Sequence, residues 1–409
     1  MKAEETFPVT YADIESAART IKGVVARTPF ELSSSFSRLF GGQVYLKLEN
    51  LQRTGSFKMR GSYNKISKLT SEQKGHGVIT ASAGNHAQGV ALSATLNRIR
   101  SVVVMPQHAS LAKVAATKNY GAEVMLHGQI FDDALAKALE VQKKRKMTFI
   151  HGYNDPLVIA GQGTTGIEMC EVKEMDYIIC PIGGGGLISG IAVAVKHLCP
   201  KTKIIGVQSA AMPSFAESVK AGRIVKADAG ETIADGIAIK QPGEIAFRIA
   251  RSLVDSVYTV TEDEITEAMF LLLERSKQLV EGAGAAPLAL LLSGRLKVDG
   301  KKVGLVVSGG NVDLNLVRKM IMRGLVMHRR IAMVQLDLPD SPGAMKDALT
   351  LIAEAGATVL SLQDNPLLSE GSLNRFHPSV LIEVEDGQHL DKLVESFKGK
   401  GLNIRAVPI

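Results

Sequence analysis

The sequence predicts an α/β protein of more than one domain: a largely parallel-sheet body followed by a smaller β-α-β-β-α-β unit. Three observations carry that expectation. At 409 residues the chain exceeds what one hydrophobic core ordinarily organises. Between about residues 75 and 325, short β-branched runs alternate with longer amphipathic stretches, as repeated βα units do. From Ile331 the pattern changes. Strand-like IAMVQLDL, ATVLSLQ, PSVLIEVE and LNIRAVPI are then interrupted by the helix-like KDALTLIAEAG and HLDKLVESFKGKG, with a polar link before the third strand.

Composition narrows the function classes. Hydrophobic residues make up 45% of the chain, enough for packed cores, which excludes a disordered or collagen-like protein. The three cysteines, Cys170, Cys180 and Cys199, are an odd set without a C-x-x-C pair. Neither a disulfide framework nor a zinc knuckle is expected from them, and a reducing cytoplasm suits them. Met1 to Phe7 carries two glutamates where a secretory leader has basic and apolar residues, and no apolar run is long enough to span a bilayer, so no membrane partner is expected. The formal charge of +7 is scattered, its one block being KKRK at Lys143 to Lys146, which reads as a solvated helix end. Aromatic residues do not interleave with the basic ones, so no nucleic-acid surface is expected, while a general pull on anionic metabolites remains.

Taken in chain order, the first chemistry-bearing stretch is KLENLQRTGSFKMRGSYNKI, which sets Lys58 among small, aromatic and basic residues just before a helix. Lysines are usually solvated, and one that forms Schiff bases needs a lowered pKa; the neighbouring Lys47 and Arg60 are the candidates for lowering it. Three strand-loop-helix junctions follow. In the first, Ser82, Ala83, Gly84, Asn85 and His86 form a turn after GVIT, which suits a carboxylate. In the second, Gly183 to Gly186 follow YIIC and let the backbone wrap an oxyanion, a phosphate being the natural occupant. The third, VGLVV then SGGN, leaves the Ser308 hydroxyl at a strand tip. At that edge of an open parallel sheet, helix N-termini present free N–H groups and the positive end of a dipole. One such loop is equally a plain connector; three together point to one site. The glycines do not spell G-x-G-x-x-G, KIIGVQ ends in Gln208 rather than an acid, and no lysine follows the glycines as in a P-loop. A monophosphate cofactor fits better than a dinucleotide or ATP.

TGSFKMRG, SAGNHAQG, PIGGGGL and SGGN, in this order and spacing, resemble the threonine dehydratases (threonine ammonia-lyases) of the fold-type II pyridoxal-phosphate enzymes, over roughly Phe7 to Gly324. ENLQRTGSFK, VAATKNYGAEV, VIAGQGTTGIE, TIADGIA and EGAGA resemble them too. The resemblance implies a tryptophan synthase β-like body of two open parallel-sheet domains over residues 1–328, the smaller (roughly 55–150) inserted in the larger, and a ferredoxin-like ACT regulatory unit over 329–409. It implies that Lys58 carries pyridoxal 5'-phosphate as a Schiff base and serves as general base, and that Gly183, Gly184, Gly185, Gly186 and Leu187 cup the phosphate. Phe57 is then expected against the cofactor ring, Asn85 on its hydroxyl and Ser308 on its pyridine nitrogen. Ser82, Ala83, Gly84, Asn85 and His86 are expected to hold the substrate carboxylate, with Gly236 and Glu281 at the pocket's periphery. The implied reaction is α,β-elimination from L-threonine to 2-oxobutanoate and ammonia, with L-serine giving pyruvate. A neutral serine at the pyridine nitrogen does not hold it protonated, which favours prompt elimination over transamination.

Two other readings compete. Serine racemases, which also act as serine dehydratases, resemble this chain, but they place a second serine on the opposite face of the substrate where this chain has Ala83. They also bind a divalent cation through acids after the strand matching KIIGVQ, where QSAAMPSF offers Gln208, Met212 and Ser214, so no metal is expected. The rival from another class is an amino-acid sensor with a decayed catalytic body; intact Lys58, glycine cup and Ser308 argue against it. In the C-terminal unit, Pro342 and Gly343 of PDSPG match the loop where ACT domains bind an amino-acid effector between paired copies, within a homodimer or homotetramer. The long isoleucine-inhibited enzymes carry two such units and this chain has one, which leaves the effector open, as it leaves isoleucine synthesis or threonine breakdown as the role.

Overall fold

In a computed structural model the described residues are 7–228, 230–363, 374–399 and 402–407. Positions 1–6 and most of the polar link before PSVLIEVE lie outside them. The chain divides into two compact units, residues 1–313 and 314–409. This division falls ahead of His328, so helix Leu314–Met327, which packs on the first strand of the second unit, belongs with that unit.

The first unit carries strands β1 (Phe30–Leu32), β2 (Gln43–Leu48), β3 (Val78–Ala81), β4 (Ser101–Met105), β5 (Glu123–Leu126), β6 (Thr148–Phe149), β7 (Tyr177–Pro181), β8 (Lys203–Ser209), β9 (Ser256–Val260) and β10 (Lys302–Val307). They form a six-stranded sheet in the order β1-β2-β10-β7-β8-β9 and a four-stranded sheet in the order β5-β4-β3-β6. Every pairing is parallel except β1 with β2, an antiparallel edge. The α/β body of two open sheets is therefore as expected. VITA and SVVVM are buried at every position because helices cover both faces of a parallel sheet. KKRK closes helix Phe131–Arg145, where basic residues face the negative end of the helix dipole.

Helix Lys58–Ser67 is the pivot between the sheets, packing against both Asn85–Leu96 and Pro156–Val172. Glycines let two of these backbones touch: a Cβ on Gly61 would lie 2.6 Å from the Val158 carbonyl oxygen, and one on Gly161 2.4 Å from that of Arg60. No larger residue fits at either position, and the start of helix Lys58–Ser67 is fixed accordingly.

The second unit has β11 (Ile331–Pro339), β12 (Thr358–Gln363), β13 (Arg375–Phe376), β14 (Ser379–Glu383) and β15 (Asn403–Val407). β12, β14, β11 and β15 lie side by side in that order, all antiparallel, and β13 extends β11 at its far end. Alternate residues of β11, Val334, Leu336 and Leu338, face a core completed by Leu351, Ile352, Leu390, Leu393 and Phe397 of the two helices Ala344–Glu354 and Gly387–Gly399. The β-α-β-β-α-β order is the one read in the sequence; the short β13 is an addition. Among the described residues no helix is long and apolar enough to cross a membrane.

Candidate active site

Lys58 opens its helix directly after Phe57, whose N–H donates to the Ser308 carbonyl at 3.1 Å, while Ser56 pairs with Gly309. The TGSFK and SGGN stretches are thereby stitched together. The half-buried Lys58 donates through Nζ to the Gly152 carbonyl at 2.9 Å, and Nζ lies 5.1 Å from the centroid of the Phe57 ring. Burial lowers its pKa to about 8, against an opposing pull from Glu281. Lys47 and Arg60 are not the cause, contrary to the sequence-based expectation. Arg60 is held by Glu49 at 2.7 Å and Glu168 at 2.6 Å, and Lys47 by Glu168 at 2.5 Å, in a neutralised cluster of their own.

Two histidines border the amine and neither competes with it for charge. Burial, then repulsion from Lys58, lowers His86 to about 3 and His151 to about 4. His86 Nε2 is 2.9 Å from the Ile150 carbonyl, which only accepts, so the proton sits on Nε2 and Nδ1 offers a lone pair. That ring cannot donate to a carboxylate at its free nitrogen. In the turn Ser82–His86 the Ser82 N–H is taken by the Val104 carbonyl and the Gly84 N–H by Ser82 Oγ, while the N–H groups at the start of helix Asn85–Leu96 have no partner within the helix and can face a carboxylate.

The glycine loop leads from β7 into helix Gly186–Leu198, with Gly185 at φ +93°. A Cβ would fall 2.9 Å from the Ile237 Cα at Gly183, 2.3 Å from the Tyr153 ring at Gly184, 2.6 Å from the Phe215 ring at Gly185 and 2.7 Å from Gln162 Oε1 at Gly186. Side chains are thus excluded at all four positions, and the first N–H groups of the helix are left to face an anion. Leu187, the next residue, is buried and packs into the core under the loop. Ser308 is buried at the tip of β10.

Three residues were missed or misplaced by sequence reasoning. Glu281 is central: it is buried, accepts from Asn85 Nδ2 at 2.7 Å, and is pushed up to about 7 by burial and then by the charge of Asp235. Gly236, in the short turn Asp235–Ile237, is the more exposed neighbour; a Cβ there would lie 3.5 Å from Glu281 Oε1. Tyr153 roofs the glycine loop, and Gln162 donates to the same Gly152 carbonyl as Lys58, at 3.3 Å. Gln162 lies in VIAGQGTTGIE, a stretch noted for its resemblance, whereas HGYNDP carried no signal. Among the described residues no group of three or more His, Cys, Asp or Glu is arranged to hold a metal ion.

An enclosed amine beside a side-chain-free anion cradle is what a phosphorylated aldehyde requires, and the comparisons agree. A family model for pyridoxal-phosphate dependent enzymes matches residues 21–309. The L-threonine ammonia-lyase of Thermotoga maritima is 45% identical over 98% of this chain and 100% of its own length. The chain belongs to the threonine ammonia-lyase family of pyridoxal-phosphate-dependent enzymes. The catabolic L-threonine dehydratase of Escherichia coli is 46% identical over 76% of this chain and 96% of its own. Among solved structures, maize serine racemase is 36% identical with a TM-score of 0.74, covering 79% of this chain and 100% of its own. The cofactor of this threonine ammonia-lyase family member is pyridoxal 5'-phosphate, as the sequence implied.

Proposed function

We propose that the protein converts L-threonine to 2-oxobutanoate and ammonia, and L-serine to pyruvate and ammonia by the same route. The observation that carries this reading is the Lys58 amine, enclosed, lowered to about 8 and hydrogen-bonded to a neutral carbonyl, so that a substantial neutral fraction exists near physiological pH. The N–H groups of Gly183 to Leu187 would hold the cofactor phosphate, Phe57 would pack on its ring, Asn85 would meet its hydroxyl and Ser308 its pyridine nitrogen. When bound, the cofactor supplies an electron sink for the pair left at Cα. Neutral Lys58 takes the Cα proton and hands a proton to the departing β-hydroxyl, while the Ser82 to His86 turn fixes the carboxylate through N–H donors. Water lost at the β-carbon is regained when ammonia leaves, so the net change is loss of ammonia alone.

Ala83 stands where a racemase needs a second proton donor, which favours elimination over inversion at Cα. The test is 2-oxo-acid release from L-threonine, L-serine and D-serine by wild type and Lys58→Ala. Fastest turnover on L-threonine, lost in the variant, is expected; D-serine formation from L-serine as the dominant reaction would replace this reading with a racemase.

For residues 329–409 the strand order and the turn at Pro342 and Gly343, where Gly343 takes φ +96°, support an ACT-like effector module working in a homodimer or homotetramer. Amino-acid titration by calorimetry tests it: no heat with any aliphatic amino acid would reduce the unit to an assembly role. Three free cysteines suit a cytoplasmic setting, and both isoleucine supply and threonine breakdown are compatible with the chemistry.

A further inference from the structure

The amide of Asn85 is held from both sides. Asn311 Nδ2 donates to the Thr54 carbonyl at 2.7 Å and to Asn85 Oδ1 at 2.7 Å. A backbone carbonyl only accepts, so Asn311 has one permitted orientation, nitrogen toward Thr54 and Asn85. Asn85 must then give its oxygen to Asn311, which turns its nitrogen toward Glu281, where it donates to Oε1 at 2.7 Å. One N–H of Asn85 is used there and the other is left over. Two glycines make room for this clamp. A Cβ on Gly55 would lie 2.4 Å from Asn311 Oδ1, and one on Gly309 2.4 Å from Glu281 Oε1. The glycines of TGSFK and SGGN therefore admit the two side chains that orient Asn85.

We propose that Asn311 and Glu281 are positioning residues that set the polarity of Asn85, so that an N–H and not a carbonyl oxygen faces the ring oxygen of the cofactor. This rests on the proposed contact between Asn85 and that oxygen. A donated hydrogen favours the ring oxygen as an anion, whereas a carbonyl oxygen in its place would demand a proton there. Asn311 itself need touch nothing but Asn85 and the Thr54 carbonyl.

The experiment is a double-mutant cycle on Asn85→Ala, Asn311→Ala and their combination, with Glu281→Met and Glu281→Gln alongside. Each is read by pyridoxal-phosphate affinity, by the pH at which the bound cofactor's absorption changes, and by thermal denaturation of the cofactor-free protein. Asn311→Ala and Glu281→Met are expected to weaken cofactor binding by about tenfold, the size of one charge-assisted hydrogen bond, and to shift the absorption transition in the same direction as Asn85→Ala. Glu281→Gln keeps an acceptor oxygen and should stay near wild type. The double variant should be no weaker than Asn85→Ala alone, because Asn311 acts through Asn85. If Asn311→Ala lowers only the denaturation temperature, leaving affinity and absorption unchanged while Asn85→Ala alters both, the positioning role is overturned. If Asn85→Ala leaves both unchanged, the contact between Asn85 and the cofactor falls, and this proposal with it.

Discussion

Lys47, near the end of β2, and Lys58, at the head of the helix that follows, are both enclosed by protein, but their partners differ. Lys47 meets Glu168 and the Thr28 carbonyl, and Arg60 beside it holds Glu49 and Glu168, so two cations face two anions. Burial lowers Lys47, and the carboxylates of Glu49 and Glu168 pull it back. Lys58 has a carbonyl and an aromatic ring beside it and drops to about 8. Burial alone does not produce a reactive lysine; burial without a carboxylate in contact does. The two regions share one helix, since Arg60 follows Lys58 by half a turn, so the charged cluster anchors the helix that presents the amine.

Breaking the charged side has the largest expected effect. Arg60→Met strands the fully buried Glu49 without its ion-pair partner, which should cost about 3–5 kcal/mol in urea unfolding. A loss within experimental error would mean that the cluster does not anchor the helix. A smaller effect is expected on the other side. Gly184→Ala places a methyl against the Tyr153 ring, next to the Gly152 carbonyl that binds Lys58, and should destabilise by about 1–3 kcal/mol and weaken cofactor binding. Restoration by Gly184→Ala with Tyr153→Ala would attribute the effect to that one collision. The third prediction sharpens the comparison by pH. Lys58 titrates near 8 when folded and near 10.5 when unfolded, so in that window the unfolded chain binds more protons and stability rises with pH. Thermal denaturation of the cofactor-free protein from pH 7 to 10.5 should show this rise in wild type and less of it in Lys58→Met. Equal slopes would contradict the lowered pKa.

What was legible in the sequence was local. Lys58, the glycine loop, Ser308 and the turn at Ser82 to His86 each sit in a contiguous motif whose residue types carry the chemistry, and the alternation of apolar runs gave the parallel α/β body, while its division into two sheets came from the resemblance. What was not legible depended on contacts distant in the chain. The partner that makes Glu281 central, Asn85, lies 196 residues away, and Glu168, which neutralises Arg60, lies 108 away. Adjacent cations therefore read as perturbers of Lys58 when they are satisfied elsewhere. The edge pair β1 and β2 escaped because Phe30–Leu32 is too short for a period, and QVYLKL ends in the motif that drew the chemical reading.

The central claim is that Lys58, and not the more deeply buried Lys47, is the amine that carries the cofactor. Borohydride reduction of the cofactor-loaded protein fixes the cofactor covalently to its lysine, and peptide mass mapping locates it. The account predicts one modified peptide, containing Lys58, and none containing Lys47. Label on Lys47 or on another lysine would contradict it.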